Sequence, residues 1–320
     1  MTTHLSHSGL TFKKYQGTGN DFVIIDNREN QWEKWVENFD LQPFAASQFN
    51  SSKPFQKANQ VVFQLCHRYF GIGADGLMLL QDHQEADFEM VYFNSDGYLS
   101  SMCGNGGRCI AHFANNLGIG TQGIMTFIAP DGKHAASVNG DHVSLSMNPV
   151  TQVKSIDAQN GAWELNTGSP HYIQFLDTNL FAAADLSLTG LTDVNFVQWA
   201  KGIRYNNTYQ RDGINVNAVE PSPHNALAAQ NQNPSISMRT YERGVENETL
   251  SCGTGVTAAA IAYFQQYLLP SYQFNHSSHT IEVKTKGGDL AVTFGYSLEQ
   301  QFHSIFLNGP AECVFEGILA

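Results

Sequence analysis

The feature that most constrains this chain is a cysteine-led glycine turn that occurs twice. "SMCGNGGRC" spans 101–109 and "LSCGTGVTA" spans 250–258. Each stands between strand-like and helix-like segments. "FEMVYF" and "RCIAHFANNLG" flank the first, "ISMRTYERG" and "VTAAAIAYFQQYL" the second. Glycine lets the backbone bend sharply and aim several N–H groups one way. The first N–H groups of a helix have no internal partner, and the helix dipole gives them partial positive charge. Such a start holds a carboxylate and also stabilises a thiolate. A chain that builds it twice, a domain's length apart, reads as two units of one design.

The rest of the chain fits two α/β units. "LTFKKYQGTGNDFVIIDN" (10–27) reads as strand, glycine turn, strand. Residues 28–60 are polar and Asn/Gln-rich. They read as a surface excursion broken by Pro43 and Pro54, with a short amphipathic piece around Trp32–Val36. "QVVFQLCHRYF" (60–70) has helical spacing and stops at the turn "GIGADG". "LMLL", "FEMVYF", "IMTFIA", "KHAASV" and "HVSLSM" read as strands, and the helix after the first cysteine turn ends at Gly118. The boundary is set at "MNPV" (147–150). Beyond it come a helix over about 192–201, the strand "GINVNAVE" and a loop at 221–235. A helix ending before Pro270 and the strands "HTIEVKT", "LAVTFGY" and "FHSIFLNG" follow.

Composition narrows the function. The net charge is −12, from 29 acidic against 17 basic residues. That excludes general binding to nucleic acid or anionic lipid, both of which need a cationic face. The start "MTTHLSHSGL" has no cationic segment followed by an apolar run, and the best apolar run, "TAAAIAYF", is too short for a membrane span. The five cysteines are an odd, widely spaced set. A reducing cytoplasm is therefore expected, with Cys66, Cys109 and Cys313 packed as small apolar groups.

Taken singly, each cysteine turn is as readily structural as functional. A resting Cys103–Cys252 disulfide does not suit a reducing compartment. Zinc on Cys103, Cys109 and His112 has a spacing that fits no usual finger. Taken together, two thiols suggest inversion of a carbon centre. One thiolate removes an α-proton and the other thiol returns a proton to the opposite face. The site must be dry and rich in donors for the developing charge.

Eight segments in order then identify a resemblance: "GTGNDFVIID", "FGIGADGL", "FNSDG", "MCGNGGRC", "GSPHY", "INVNAV", "YERGVENETLSCGTG" and "LNGPAECVFEG". Over nearly its whole length the chain resembles the diaminopimelate epimerase family. The resemblance implies an α/β (α+β) fold of two pseudo-symmetric domains. Each is a β-sheet wrapped around a central helix, with the active site in the interdomain cleft. The domains would be 1–148 with about 308–320, and 149–307. It implies cofactor-independent and metal-free interconversion of LL- and meso-diaminopimelate, for lysine and peptidoglycan synthesis, by a cytoplasmic homodimer.

Carried over by position, Cys103 and Cys252 are the acid–base pair, and Glu242 and His171 flank them and tune their protonation. Gly104, Asn105, Gly253 and Thr254 hold the reacting α-carboxylate. Asn20, Asn94, Asn215 and Arg243 grip the distal end of the substrate. Ser169 stands where the family often has Asn, and Gly76 where some members have a substrate-reaching Gln. Without the resemblance, Asn20 and Asn94 read as turn residues, His171 as a satisfied core histidine, and Arg243 with Glu242 as a solvated pair. Asp75 reads as a turn residue throughout. Proline racemases and hydroxyproline epimerases, the nearest alternative, carry His where this chain has Asn105. The phenazine-biosynthesis branch lacks the cysteine pair. A thiol sensor or anion-binding module is the alternative outside catalysis.

Overall fold

Phe22, Val23, Ile24 and Ile25 are all fully buried, on both faces of one strand. A continuous apolar run of this kind requires a layer on each side. On one side Val23 and Ile25 join a cluster with Trp32, Val36, Val61, Leu65 and Leu79. On the other, the Phe22 ring lies 3.5 Å from where a Cβ on Gly106 would stand. The computed structural model describes residues 9–50, 53–120, 123–150, 152–176, 196–222, 233–271, 278–299 and 301–319. The chain divides into two units, Met1–Val143 with Ala311–Ala320, and Ser144–Pro310.

The first unit runs β1 (Leu10–Gly17), β2 (Asn20–Asp26), α1 (Gln31–Asn38), α2 (Pro43–Gln48), α3 (Lys57–Cys66), β3 (Gly76–Gln81), β4 (Phe88–Asn94), α4 (Gly104–Asn116), β5 (Ile124–Ala129) and β6 (Gly132–Asn139). β7 (His142–Ser146) carries the chain onward. The second unit contains β8 (Val153–Asp157), β9 (Ala162–Asn166), β10 (Pro170–Phe175), α5 (Phe196–Arg204), β11 (Asn215–Pro221), β12 (Ser235–Glu242), β13 (Asn247–Thr249), α6 (Gly253–Tyr263), β14 (His279–Thr285), β15 (Gly288–Ser297) and β16 (Gln301–Pro310). The last strand, β17 (Glu312–Leu319), belongs to the first unit.

The two units repeat one pairing scheme. In the first, β17, β1, β2, β3, β4, β5 and β6 lie side by side. Successive pairs are antiparallel, antiparallel, parallel, antiparallel, parallel and antiparallel. In the second, β8, β9, β10, β11, β12, β14 and β15 follow the same sequence of directions, and β16 adds one more antiparallel strand. α4 touches β1, β2, β3, β6 and β17, and α6 touches β9, β10, β11, β12, β14, β15 and β16. Each sheet thus curves around one central helix. Neither helix has a polar face to spare: Gly104 to Ala114 are buried without a break, and in α6 all but Thr254 are buried.

Some segments differ from the sequence reading. Pro43 does not break the excursion but starts α2, as the first helical residue, where its missing N–H costs nothing. α3 begins at Lys57 rather than 60, because Gln56 and Asn59 form reciprocal bonds across its first turn, and it ends at Cys66. α6 stops at Tyr263 and widens into a π turn over Phe264–Leu268. A tight turn then carries Pro270, which has no N–H to continue the α ladder. Cys313 is exposed, not packed: β17 presents 312–316 outward while its backbone pairs with β1. Cys66 and Cys109 are buried as expected. The expected start of α5 at 192–195 and the loop tip at 223–232 lie outside the described residues.

Candidate active site

The shared scheme brings corresponding strand ends to one end of each sheet. In the first unit Asn20 opens β2, Gly76 opens β3 and Asn94 closes β4, with Phe22, Gly76 and Asn94 in register. In the second, Pro170 opens β10, Asn215 opens β11 and Glu242 closes β12. At each of these ends a cysteine precedes the central helix. Cys103 and Cys252 both have extended backbone, with φ −112° and −124°, and each is the last residue before its helix. Their carbonyls accept the first helical bonds, from the N–H of Gly107 at 2.7 Å and of Val256 at 2.8 Å. The N–H groups of the first turn are therefore grouped beside each sulfur.

In the first unit the Cys103 thiol donates to Asn20 Oδ1 at 3.4 Å. The orientation of that amide is set by Asp75, whose carboxylate accepts from Asn20 Nδ2 at 2.5 Å. Asp75 is a turn residue, as read, and is held in place from behind. Its N–H donates to Asp21, and Arg68 bridges the Asp21 and Asp75 carboxylates at 2.8 and 2.6 Å. Lys14 adds a 2.8 Å pair to Asp21. Burial pushes the Asp21 carboxyl up, but the bonds from Arg68 and Lys14 outweigh it and hold the group well below the usual carboxylate range. Asn105 is buried, with Oδ1 at 3.5 Å from Thr18 Oγ.

Asn94 stands exposed at the end of β4, in a turn closed by the bond from Gly97 N–H to its carbonyl at 2.9 Å. The excursion grips this turn from outside. Asn59 Nδ2 donates to the Gly97 carbonyl at 2.8 Å, and the Phe49 ring stacks on Tyr98. Gly97 has φ +87°, and a Cβ there would collide with the Asn59 carbonyl, so the turn requires glycine.

In the second unit the groups nearest the cysteine are neutral. Cys252 Sγ lies 3.4 Å from Thr254 Oγ, which lies 2.9 Å from His171 Nε2. The histidine tautomer is fixed by its neighbour. Asn217 Oδ1 accepts from Thr240 Oγ, and its Nδ2 donates to the Tyr172 carbonyl and faces His171 Nδ1 at 3.2 Å. Nδ1 is thus an acceptor, and Nε2–H donates to Thr254. Burial, with the charge of Arg243 second, lowers the His171 pKa to about 3, so the ring is neutral at physiological pH. Nearby, Asn215 Nδ2 donates to Ser169 Oγ at 2.8 Å, and Asn215 Oδ1 accepts from the Arg243 N–H at 2.8 Å. The Arg243 guanidinium donates to the Asp212 carbonyl at 2.9 Å. Glu242 accepts from Thr249 Oγ at 2.6 Å.

The structure therefore gathers Cys103 with Asn20, Gly104 and Asn105, and places Asn94 beyond them at the strand end. It gathers Cys252 with Gly253, Thr254 and His171, and Ser169 with Asn215 and Arg243. Several residues around the site were not singled out from the sequence, and two of them are instructive. Asn217 sits two positions after Asn215 in "INVNAV", on the same face of β11, so strand alternation carried that signal. Arg108 carried none: arginine on a helix reads as surface, yet this one is fully buried.

The family described as diaminopimelate epimerase matches residues 12–153 and 165–314. Among curated proteins, the diaminopimelate epimerase of Flavobacterium psychrophilum is 44% identical over 305 residues, covering 95% of this chain and 97% of that protein. That of Chlorobaculum tepidum is 35% identical, covering 95% and 98%. Among solved structures, a phenazine biosynthesis protein of the PhzF family from Bacillus anthracis superposes with a TM-score of 0.63 at 14% identity, covering 98% of this chain and 99% of that one. A hydroxyproline epimerase from Agrobacterium vitis superposes at 0.61 with 12% identity, covering 98% and 93%. These last two likenesses concern the fold alone.

Proposed function

Because the chain belongs to the diaminopimelate epimerase family, we propose that it interconverts LL- and meso-2,6-diaminopimelate with Cys103 and Cys252 as the acid–base pair. The observation that carries the reading is that each sheet is built around a helix whose N-terminal turn is headed by one of these cysteines. One sulfur removes the α-proton as a thiolate. The electron pair passes into the adjacent carboxylate, whose developing charge meets first-turn N–H groups at Gly104–Asn105 and Gly253–Thr254. The other sulfur, as a thiol, returns a proton to the opposite face. Both proton transfers come from side chains, so the proposed reaction draws on no cofactor.

His171 acts through Thr254 on Cys252, and Asn20 touches Cys103 directly. Asn20, Asn94, Asn215 and Arg243, at the same sheet ends, are assigned to the distal amino-acid group, with Ser169 in the position of an Asn common in the family. Glu242 is assigned to tuning the thiols. The same reading takes the enzyme to be a cytoplasmic homodimer in lysine and peptidoglycan precursor synthesis. No helix among the described residues is long and apolar enough to cross a membrane.

The test is purified protein with LL-diaminopimelate in heavy water, followed by α-deuterium uptake and by the appearance of the meso isomer. L-Proline and trans-4-hydroxyproline serve as controls. Absence of exchange with diaminopimelate sinks the proposal, and exchange with proline moves it to the racemases.

A further inference from the structure

Arg108 has no part in the roles above, and its placement is unusual. It lies fully buried on the second turn of α4, and its guanidinium folds back toward the helix start. Nη1 donates to the carbonyl of Gly104, the residue after Cys103, at 3.4 Å, and Nη2 donates to Thr18 Oγ at 3.2 Å. Thr18 stands in the turn between β1 and β2. The corresponding residue of α6, five positions after Cys252, is Thr257. Its hydroxyl makes the same bond one turn back, to the Gly253 carbonyl at 3.0 Å. One helix start therefore has a cation buried beneath it, and the other a hydroxyl.

The geometry points to Arg108 as the residue that sets the resting polarity of the pair, with Cys103 the thiolate of the free enzyme and Cys252 its thiol. This rests on the reading of the two cysteines as an acid–base pair. Burial lowers the Arg108 pKa to about 10, against the opposing influence of Cys109 and Cys103, so it remains a cation at neutral pH. Its charge favours an anion on whichever nearby group can ionise. Cys109 is not that group, because full burial pushes its thiol up beyond the usual range. Cys103 is half-buried and heads the helix.

Among the groups near Cys103, Asn20 and Asp21 begin β2, and Asp75 immediately precedes β3. Asn20 Oδ1 opposes a thiolate only as a neutral dipole, and a full charge in a low-dielectric surrounding outweighs it. The Asp21 and Asp75 carboxylates behind it are matched by Lys14 and Arg68. Around Cys252 stand Thr254 Oγ and the neutral His171 ring. Arg243, whose charge reaches His171, and Glu242 stand at the nearby end of β12, more exposed than Cys252 and of opposite sign, so that each offsets the other. Thr254 Oγ accepts from His171, and between it and Cys252 Sγ either atom can donate, so this contact offers Cys252 a neutral partner and no cation.

Proton balance gives this polarity a consequence. Cys103 takes the α-proton of the first stereoisomer, and the C–H pair enters the carboxylate. Cys252 gives up its proton, and that S–H pair stays on sulfur. The enzyme released with product carries the reversed pair, and it resets by moving one proton from Cys103 to Cys252 through solvent.

The test is the pH dependence of alkylation of each cysteine in the free, full-length protein. The probe is iodoacetamide and the readout is peptide mass spectrometry. The midpoint of each profile reports thiolate formation independently of access, and exposed Cys313 serves as the internal reference thiol. The expected midpoint for Cys103 lies at least one pH unit below that for Cys252. In Arg108→Met the Cys103 midpoint should rise by about one unit or more, a roughly tenfold loss of labelling at neutral pH, with Cys252 unmoved. Arg108→Lys should keep the original order. Coincident or reversed midpoints in the unmodified enzyme overturn the inference, even where Arg108→Met does not fold. So does an unshifted Cys103 in Arg108→Met, or loss of the order in Arg108→Lys. Deuterium exchange on the same preparation separates the two claims: failure of exchange sinks the proposed reaction and leaves the order of midpoints standing.

Discussion

The helix after Cys103 and the helix after Cys252 share their first turn and differ in what lies behind it. Both start at a glycine, both place a glycine at the third helical position, and both receive a side-chain bond at the first carbonyl. Behind the first lie a buried guanidinium and a row of two acids and two cations. Behind the second lies a chain of neutral donors and acceptors through Thr254, His171, Asn217 and Thr240. A backbone design can thus be held constant while its electrostatics are changed by a few side chains. In the proposed reaction, two thiols with opposite parts gain different surroundings without two different folds.

Removing a sulfur is the most severe disruption of this pairing. Cys103→Ala and Cys252→Ala should each lower epimerisation roughly 10³-fold or more, with circular dichroism unchanged, because each supplies one face. Near-full turnover in either variant would show that the two halves are not partners in this chemistry.

The third helical glycine gives a subtler contrast. A Cβ at Gly255 would stand 2.8 Å from Asn217 Oδ1 and 3.2 Å from the His171 ring, inside the buried hydrogen-bonded chain. At Gly106 the nearest atom is Met78 Sδ at 3.3 Å, on a side chain able to move. Gly255→Ala should therefore cost about 2–3 kcal/mol of stability, and Gly106→Ala under about 1 kcal/mol, read from urea midpoints. Equal costs would mean that the neutral chain is no more rigid than its charged counterpart.

The smallest effect is one of pH. The folded-state pKa of His171 is depressed, so the folded form refuses a proton that the unfolded chain accepts near pH 6.5. That contribution is complete above about pH 6.5 and is lost as pH falls toward about 3. Between pH 7.5 and 5.5 it amounts to about 1 kcal/mol. Asp21 is depressed as well, but its contribution is lost only below the carboxylate range. His112 of the first unit is also lowered, burial outweighing Asp141, so the decisive comparison is with His171→Gln. That variant should show a shallower loss of stability over the same interval. An unchanged slope would assign the pH dependence to groups outside the neutral chain.

What could be read in advance came from periodicity and turn chemistry. The run at 22–25, the amphipathic Trp32–Val36 piece and the alternating strands each announce their burial by spacing. The double occurrence of the cysteine turn gave the two-unit plan. Other features depend on partners far away in sequence. Pro43 looked like a breaker because its place as a first helical residue depends on the residues after it. Cys313 looked apolar because a strand's outer face is defined only by which strand it pairs with. Asp75 was legible as a turn residue, but its bond to Asn20 joins positions brought together by the parallel β2–β3 pair. Arg108 was invisible because its partner, Thr18, lies 90 positions away and is brought beside α4 only by the fold.

The pairing of β17 with β1, from Leu10 opposite Leu319 to Gln16 opposite Glu312, bears on the order of events during synthesis. The ribosome delivers the whole of Ser144–Pro310 before the strand that completes the first unit. Until then β1 has a bare backbone edge, of the kind that recruits other chains. The second unit has all its strands in one stretch and can close first. A nascent or truncated chain ending near Pro310 should therefore need a chaperone, or another strand, to shield the edge that residues 312–319 later cover.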